Sequence, residues 1–321
     1  MSVLPHLKLP LVAAPMFLIS NPKLVIECCK AGVAGTFPAL NQRTTEGFEA
    51  WVVEIKTELE KFEQETGIQP APFGVNLIVH PTNERLMADM QVIVKHQVPL
   101  VITSLGAVSQ VVEAVHSYGG IVYHDVIKKR HAEKAAEAGV DGLILVCAGA
   151  GGHAGLLNPM AFVGEIRTFF NKTLLLSGCI SRGADIAAAL AMGADMAYAG
   201  TVFINTPEAA APAGYREMII GSEAKDIVYT AAISGVHANF MLKSLEKNGI
   251  TEDQWSRAGK IDFGKEADGA LAEARAWKTV WSAGQGVGTL REVLPVNELI
   301  RRFSADFRAA VAKLNNTLSS L

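Results

Sequence analysis

Short, almost continuously apolar runs alternate with longer amphipathic segments along most of this chain. The runs lie at Leu11–Ala14, Val33–Phe37, Phe73–Val79, Leu100–Thr103, Ile121–Tyr123, Gly142–Val146, Leu174–Leu176 and Met196–Ala199. They lack the in-and-out alternation of a half-exposed strand, which is typical of parallel strands covered by helices. The segments between them have helical spacing, so the pattern predicts repeated strand–helix units.

Capping residues mark the ends of the predicted helices. Asn21 before Pro22 opens a helix that Gly32 closes, and Thr44 or Thr45 caps a long helix that ends at Gly67. Later helices are predicted from Asn83 to His96, from Ser109 to Tyr118, up to Gly139, through Phe170 and up to Gly193.

The number of units decides the fold class. Eight consecutive units favour a closed barrel, because a doubly wound sheet usually has five or six strands and a glycine fingerprint after its first strand. No Gly-x-Gly-x-x-Gly follows Leu11–Ala14. The predicted fold is α/β, a (β/α)8 TIM barrel with a mainly helical insertion near the C-terminus.

The pattern changes from Thr206 to Gln285, where prolines and alanines precede helical stretches at Tyr215–Ile220 and Ala238–Lys247 and no clear strand is visible. We therefore expect residues 1–205 and 286–321 to form the barrel and residues 206–285 to form a helical insertion or lid on the substrate side. The amphipathic stretch Val296–Leu318 is expected to return and cover the barrel.

Composition narrows the function classes. The chain has 321 residues, half of them hydrophobic, and a formal net charge of −3. The absence of a basic excess argues against nucleic-acid binding. The four cysteines show no metal-ligand spacing, which favours reduced thiols, no metal and a cytoplasmic protein. The apolar run Leu9–Ile19 is too short to span a membrane and is interrupted by Pro10 and Pro15, so a buried first strand explains it better.

Barrel active sites lie at the carboxyl ends of the strands. There the last two strands offer Ser177-Gly178 and Gly200-Thr201, whose backbone N–H groups and hydroxyls predict a phosphate site. Asn76 ends a buried strand and is a candidate ligand contact. Met16 also follows a strand, and a role in the wall of the pocket explains it more simply than a chemical role. Ser104 and Asp125 lie at strand ends too, and helix capping would explain them as well as ligand binding would.

The sixth strand runs into a glycine-rich turn, Val146–Gly155, that contains one histidine, His153. Glycines let the backbone approach a flat or charged ligand, and an imidazole in that opening is a candidate for proton transfer. Of the other histidines, His6, His96, His116 and His131 are expected to be solvated or packed. His80 and His124 lie near strand ends, and His237 could reach the pocket from the insertion.

These features together resemble the nitronate monooxygenase family, formerly called 2-nitropropane dioxygenases. The resemblance rests on Ala14-Pro15-Met16, Gly74–Asn76, Gly151–Gly155, Ser177-Gly178, Met192–Asp195 with Gly200-Thr201, and Trp281–Gly284, and it spans nearly the whole chain. The same superfamily contains FMN-dependent enoyl-thioester reductases and NAD(P)H:quinone reductases.

The resemblance implies a barrel that binds FMN without a covalent bond, beneath the inserted region. By position, Ala14, Pro15 and Met16 would lie along the isoalloxazine ring, Asn76 would hydrogen-bond it, and Gly151 and Gly152 would pass near it. The phosphate would be held by Ser177, Gly178, Cys179, Gly200 and Thr201, and His153 matches the catalytic histidine. The chain departs from relatives that have lysine at Asp125, glycine at Cys179 and arginine at Val202.

The implied activity is oxidation of alkyl nitronates, and of nitroalkanes as a further substrate class, with O₂ to carbonyl compounds and nitrite. Its partners would be a small nitronate or related carbanion and O₂, without nucleic acid or membrane. The alternative is an FMN-dependent reductase that uses NAD(P)H to reduce a quinone or an enoyl thioester. A third hypothesis is a flavin-binding protein without catalytic activity.

Overall fold

The computed structural model describes residues 4–80, 82–104, 106, 109–233, 235–256 and 278–319. Its strands are β1 (Leu11–Ala13), β2 (Ala34–Pro38), β3 (Phe73–Ile78), β4 (Leu100–Ser104), β5 (Ile121–Val126), β6 (Gly142–Val146), β7 (Gly152–His153), β8 (Thr173–Ser177), β9 (Met196–Ala199), β10 (Ile227–Thr230) and β11 (Ala238–Met241). Its α-helices are α1 (Pro22–Ala31), α2 (Thr45–Thr66), α3 (Leu86–Lys95), α4 (Ser109–His116), α5 (Lys129–Glu137), α6 (Pro159–Arg167), α7 (Gly183–Ala191), α8 (Thr201–Ile204), α9 (Ala213–Ile220), α10 (Leu242–Lys247), α11 (Glu252–Trp255) and α12 (Val296–Leu318).

Eight parallel strands form a closed barrel in the order β1-β2-β3-β4-β5-β6-β8-β9. The ring closes where Val12 of β1 pairs with Tyr198 of β9 on one side and with Ala34 of β2 on the other. Side chains that point inward form one core, which includes Ile102, Tyr123 and Ile144. Side chains that point outward pack beneath the helices in a second, larger core. The predicted (β/α)8 barrel is therefore confirmed.

Local signals explain where the first helices begin and end. The Oδ1 of Asn21 accepts a hydrogen bond from the N–H of Leu24 at 2.8 Å, and Gly32 ends α1 in the left-handed conformation at φ +92°. Thr44 caps α2 by accepting from the N–H of Gly47 at 3.1 Å. Some ends differ from expectation: α3 begins at Leu86 rather than Asn83, after turns that use the Asn83 side chain.

The insertion contains strands that the sequence did not predict. β10 and β11 pair antiparallel, and β11 also pairs with β7, which gives a three-stranded sheet in the order β10-β11-β7. The prediction that this region has no strand is therefore wrong. The predicted helix over Ala238–Lys247 is also wrong in its first part, because Ala238–Met241 is a strand and only Leu242–Lys247 is helical. Of the predicted insertion, residue 234 and residues 257–277 lie outside the described residues, and its boundaries stay a prediction.

The C-terminal helix α12 covers the outside of the barrel, as expected. Its Asp306 accepts a hydrogen bond through Oδ2 from the N–H of Ala184, in the first turn of α7, at 2.8 Å. A Cβ on Gly183 would come within 2.0 Å of the carbonyl oxygen of Phe303, so the two helices touch through backbone. No helix in the described part of the chain combines the length and the apolarity that a membrane crossing requires.

Candidate active site

The barrel mouth is the face at which the carboxyl ends of β1 and β9 meet. The N–H of Ala14 donates to the carbonyl oxygen of Ala199 at 2.8 Å. A Cβ placed on Gly200 would lie 3.6 Å from both the Cβ of Ala14 and the Sδ of Met16. The structure therefore brings the predicted ring-contact residues Ala14 and Met16 against Gly200, with Pro15 half-buried between them.

Unpaired backbone donors lie after β8 and β9. Gly178 has φ +132°, and Cys179 has φ +60°, a left-handed conformation that favours glycine. Within the described ranges, no hydrogen bond is found for the backbone N–H of Gly178, Cys179 or Gly200. The hydroxyls of the largely buried Ser177 and Thr201 flank these groups in sequence. Backbone N–H groups and hydroxyls of this kind bind phosphate oxygens well.

The glycine-rich turn after β6 lies directly against these two strand ends. A Cβ on Gly149 would be 2.4 Å from the Sγ of Cys179, and a Cβ on Gly151 would be 3.0 Å from the Oγ1 of Thr201. Gly149 also has a positive φ of +81°. Glycine is therefore needed in this turn for close packing and for backbone conformation. These contacts place the predicted ring residue Gly151 next to Thr201, and the turn next to Cys179, which are both predicted phosphate residues.

The chain segment 282–285, here called the clasp, returns to hold the glycine-rich turn. The Oγ of Ser282 accepts from the N–H of Gly152 at 2.6 Å, and the N–H of Gln285 donates to the carbonyl oxygen of Gly149 at 2.9 Å. Gly284 donates through its N–H to the Oγ1 of Thr201 at 2.9 Å. The sequence analysis did not assign the clasp a role, although the Trp281–Gly284 motif pointed to it.

His153 is exposed and lies on β7, which forms an edge of the small sheet. It pairs with Ala238 of β11, and the next residue, Ala154, donates through its N–H to the carbonyl oxygen of His237 at 3.3 Å. The hydroxyl of Tyr229 donates to the carbonyl oxygen of Ala154 at 3.2 Å, and its ring stacks on that of His237 at 5.0 Å. The backbone of His153 is thus held by strand pairing, and His237 of the insertion lies nearby.

Asn76 belongs to a polar chain on another side of the mouth. Its Nδ2 donates to the carbonyl oxygen of Ile102 at 3.2 Å and to the Oγ of Ser104 at 2.9 Å. Both amide hydrogens are used, so Oδ1 is the atom that can accept from a ligand. Ser104 in turn donates to the Oδ2 of Asp125 at 2.6 Å. Ser104 and Asp125 therefore do not cap helices with these atoms.

His124 does not belong to the mouth. It alternates along β5 with the inward-facing Tyr123, and its Nδ1 shares a 2.8 Å hydrogen bond with the Oγ1 of Thr103. Burial lowers the pKa of His124 to about 4, so the ring is neutral near pH 7. His96 and His116 bind the carboxylates of Glu49 and Asp141 at 2.7 and 2.8 Å, and these roles are structural.

The residues at the mouth fit an FMN. Glycines let the turn after β6 pack closely on the ends of β8 and β9, and the unpaired N–H groups there, beside two hydroxyls, suit a phosphate. Apolar Ala14 and Met16 suit the face of a ring, and the Oδ1 of Asn76 suits a ring N–H. With an exposed imidazole on the neighbouring sheet, this arrangement can bind a flavin and move a proton next to it.

Comparison with known proteins agrees with this arrangement. The profile of the nitronate monooxygenase family matches residues 37–306. Among characterised proteins, the nitronate monooxygenase of Paraburkholderia phytofirmans is 27% identical over 95% of this chain and 94% of its own length.

Two solved structures share the fold over nearly the full length of both chains. FabK from Thermotoga maritima superposes with a TM-score of 0.78 at 22% identity, covering 97% of this chain and 96% of its own. Nitroalkane oxidase from Streptomyces ansochromogenes superposes with a TM-score of 0.74 at 23% identity, covering 97% of this chain and 98% of its own. At these identities the likeness concerns the fold.

Proposed function

On the premise that this chain belongs to the nitronate monooxygenase family and is a flavin-dependent oxidoreductase, we propose that it oxidises alkyl nitronates with O₂ to carbonyl compounds and nitrite at an FMN held in the barrel mouth. The observation that carries the proposal is the position of His153. Its imidazole is exposed on a strand whose other residue, Gly152, belongs to the turn that packs on the phosphate-binding strand ends.

We assign the cofactor contacts to two groups of residues. The FMN phosphate is bound by Ser177, Gly178, Cys179, Gly200 and Thr201. The ring is contacted by Ala14, Pro15, Met16, Asn76, Gly151 and Gly152. The unpaired N–H groups after β8 and β9, and the 3.6 Å approach of Met16 to the position of a Gly200 side chain, support this assignment. When bound, the flavin supplies the electron acceptor for the substrate carbanion and the electron donor for O₂.

His153 is assigned the proton chemistry. A neutral imidazole can take the α-proton of a nitroalkane, and a protonated one can stabilise the negative charge of a nitronate that is already ionised. Strand pairing with Ala238 holds the backbone of His153 at a fixed place next to Gly152. Because neutral nitroalkanes require proton removal and nitronates do not, the two substrate classes depend on His153 to different degrees.

We also propose that the region 206–285 acts as the substrate-side cover of the barrel. Its β11 pairs with β7, and Asn239 donates through Nδ2 to the carbonyl oxygen of Ala150 at 2.7 Å. The clasp at its end binds Gly149, Gly152 and Thr201. These contacts attach the region to the turn next to the proposed flavin site. Such a cover would exclude water from the reacting carbanion.

The test is the visible spectrum of the purified protein mixed anaerobically with propyl-2-nitronate. We expect a yellow protein whose flavin is reduced within the time of a turnover, and nitrite after air is admitted. If the nitronate does not reduce the flavin but NADH or NADPH reduces it quickly, the protein is the reductase and not the monooxygenase.

A flavin that none of these donors reduces would favour a non-catalytic flavoprotein. A protein that cannot be loaded with FMN would refute the cofactor assignment.

A further inference from the structure

Asp125 is a buried carboxyl group with one unpaired oxygen. Its Oδ2 accepts the 2.6 Å hydrogen bond from Ser104, whereas its Oδ1 is buried and has no hydrogen-bond partner among the described residues. Ser104 is itself held by the amide of Asn76. Three neighbouring strands, β3, β4 and β5, thus contribute one side chain each to a polar chain that ends on Asp125.

The Asp125 carboxyl group faces the interior of the barrel. It alternates along β5 with His124, which lies on the helix side, and it follows the inward-facing Tyr123 by two residues. Burial raises the pKa of the Tyr198 phenol well above its usual value, and the negative charge of Asp125 adds to that shift. Since Tyr198 lies on β9, the charge of Asp125 acts across the barrel.

No basic side chain compensates this charge in the described part of the chain. Burial raises the pKa of Asp125 to about 6, and the Ser104 hydrogen bond only partly opposes the shift. Above that pH, the site holds a carboxylate that has one hydrogen bond and no counter-ion. Burying an unpaired carboxylate costs free energy. Because this carboxylate lies at the proposed ligand-binding end of the barrel, we expect its charge to act on the bound ligand.

We propose that Asp125 places a negative charge beside the bound flavin ring and makes that flavin harder to reduce, and a poorer acceptor of anionic nucleophiles, than a neutral side chain would. The proposal rests on FMN binding at the barrel mouth, as proposed above, but not on the identity of the oxidised substrate. Its basis is electrostatic: reduction or addition of an anion adds negative charge to the ring, and a nearby carboxylate opposes that change where little water screens it.

Sulfite measures this effect without any substrate. Its sulfur lone pair forms a bond to N5 of the oxidised flavin, and a ring electron pair moves toward the N1–C2 carbonyl, so the adduct gains a negative charge and no oxidant or reductant is consumed. The FMN-loaded protein is titrated with sodium sulfite at about pH 8, roughly two units above the Asp125 pKa, and the loss of visible flavin absorbance gives the Kd.

We expect D125N to bind sulfite about tenfold more tightly than the wild type, which corresponds to about 1.4 kcal/mol. The midpoint potential should rise by about 30 mV, the equivalent of the same factor for a two-electron couple. D125S, a smaller neutral variant, should change both quantities in the same direction. S104A keeps the carboxyl group but removes a hydrogen bond that lowers the Asp125 pKa, so its Kd should lie between those of the wild type and D125N.

Glu137→Gln is the matched control, because it removes one negative charge from the exposed end of the helix that follows β5. Its sulfite Kd should equal that of the wild type. Neutral variants that bind sulfite as weakly as the wild type would overturn the proposal, as would folded neutral variants that no longer bind FMN. A wild-type protein that cannot be loaded with FMN would instead refute the proposed function on which the inference rests.

Discussion

A methyl group on Gly151 would lie 2.8 Å from the backbone nitrogen of Gly284, so the two backbones are in direct contact. The same N–H of Gly284 donates to the Oγ1 of Thr201 at 2.9 Å. One contact therefore joins the glycine-rich turn after β6, the end of β9 and the clasp. The geometry of the proposed flavin site depends on the absence of side chains at this junction.

Replacing Gly151 by alanine should weaken the site through overpacking. The new Cβ meets the backbone of Gly284 and the Oγ1 of Thr201 at 3.0 Å, and neither can move without disturbing the clasp. We expect the free energy of unfolding to fall by about 1–3 kcal/mol and FMN to bind less tightly. Urea denaturation and flavin titration measure the two effects.

Gly164→Ala is the control for that substitution. Gly164 lies inside α6, nothing lies within 4 Å of the position of its Cβ, and its φ is not positive. Alanine favours a helix interior over glycine by about 1 kcal/mol, so this variant should be as stable as the wild type or more so, with unchanged FMN affinity. If G151A behaved like G164A, the close contact with Gly284 would not matter for the site.

His153→Asn should leave FMN binding intact and slow turnover, with the larger loss on neutral nitroalkanes. Loss of a general base typically lowers rates by about 10²–10⁴-fold, and a preformed nitronate needs no proton removal. Steady-state rates with a nitroalkane and with its nitronate measure the difference. His6→Asn is the control, because His6 is exposed before β1 and has φ +59°, which asparagine tolerates. Equal rates for H153N and the wild type on both substrates would remove His153 from the mechanism.

Tyr215 supports the clasp from the insertion. Its hydroxyl donates to the carbonyl oxygen of Ser282 and accepts from the N–H of Ser282 at 3.2 Å, and its ring stacks on that of Trp281 at 4.9 Å. Tyr215→Phe keeps the stack but leaves two buried backbone groups unpaired. We expect a loss of about 1–3 kcal/mol in the free energy of unfolding and a higher Kd for FMN, because Ser282 also binds Gly152.

Tyr118→Phe tests whether that effect is local. Tyr118 donates to the carbonyl oxygen of Val98 at 2.8 Å, on the loop that leads into β4 and away from the barrel mouth. This variant also loses a tyrosine hydrogen bond, so its stability should fall, but its FMN affinity should not change. A change in FMN affinity of similar size in both variants would show that the effect of Tyr215 comes from general destabilisation.

The barrel could be predicted because its strands are buried on both faces. Runs such as Gly142–Val146 are apolar throughout, they recur between amphipathic helices, and capping residues such as Asn21 and Gly32 mark the boundaries. The strand ends then place Ser177 and Gly200 at one face without further information. The fold class, and the barrel face on which the candidate site is proposed, follow from local patterns alone.

The remainder of the site depends on contacts between distant parts of the chain. β7 has two residues and becomes a strand only through pairing with β11, and Ala238–Met241 has no pattern that separates it from the helix that follows. The hydrogen bond between Gly284 and Thr201 spans 83 positions. The unpaired Oδ1 of Asp125 likewise depends on how β3, β4 and β5 pack. Such relationships leave no periodic signal in a sequence.

His124 gives the fold a specific sensitivity to acid. Burial lowers its pKa from 6.5 to about 4, so between these values the unfolded chain binds a proton that the folded chain does not. The free energy of unfolding contributed by this group is therefore fully present above about pH 6.5 and is lost as the pH falls toward 4.

Since one pKa unit corresponds to about 1.4 kcal/mol, the wild type should lose up to about 3 kcal/mol relative to H124Q, whose side chain does not titrate. Urea denaturation of both proteins at about pH 7.5 and about pH 4.5 measures the difference, and comparison with H124Q cancels groups common to both, such as Asp125. A difference between the two proteins that stays constant with pH would mean that the His124 ring takes up its proton without unfolding the barrel.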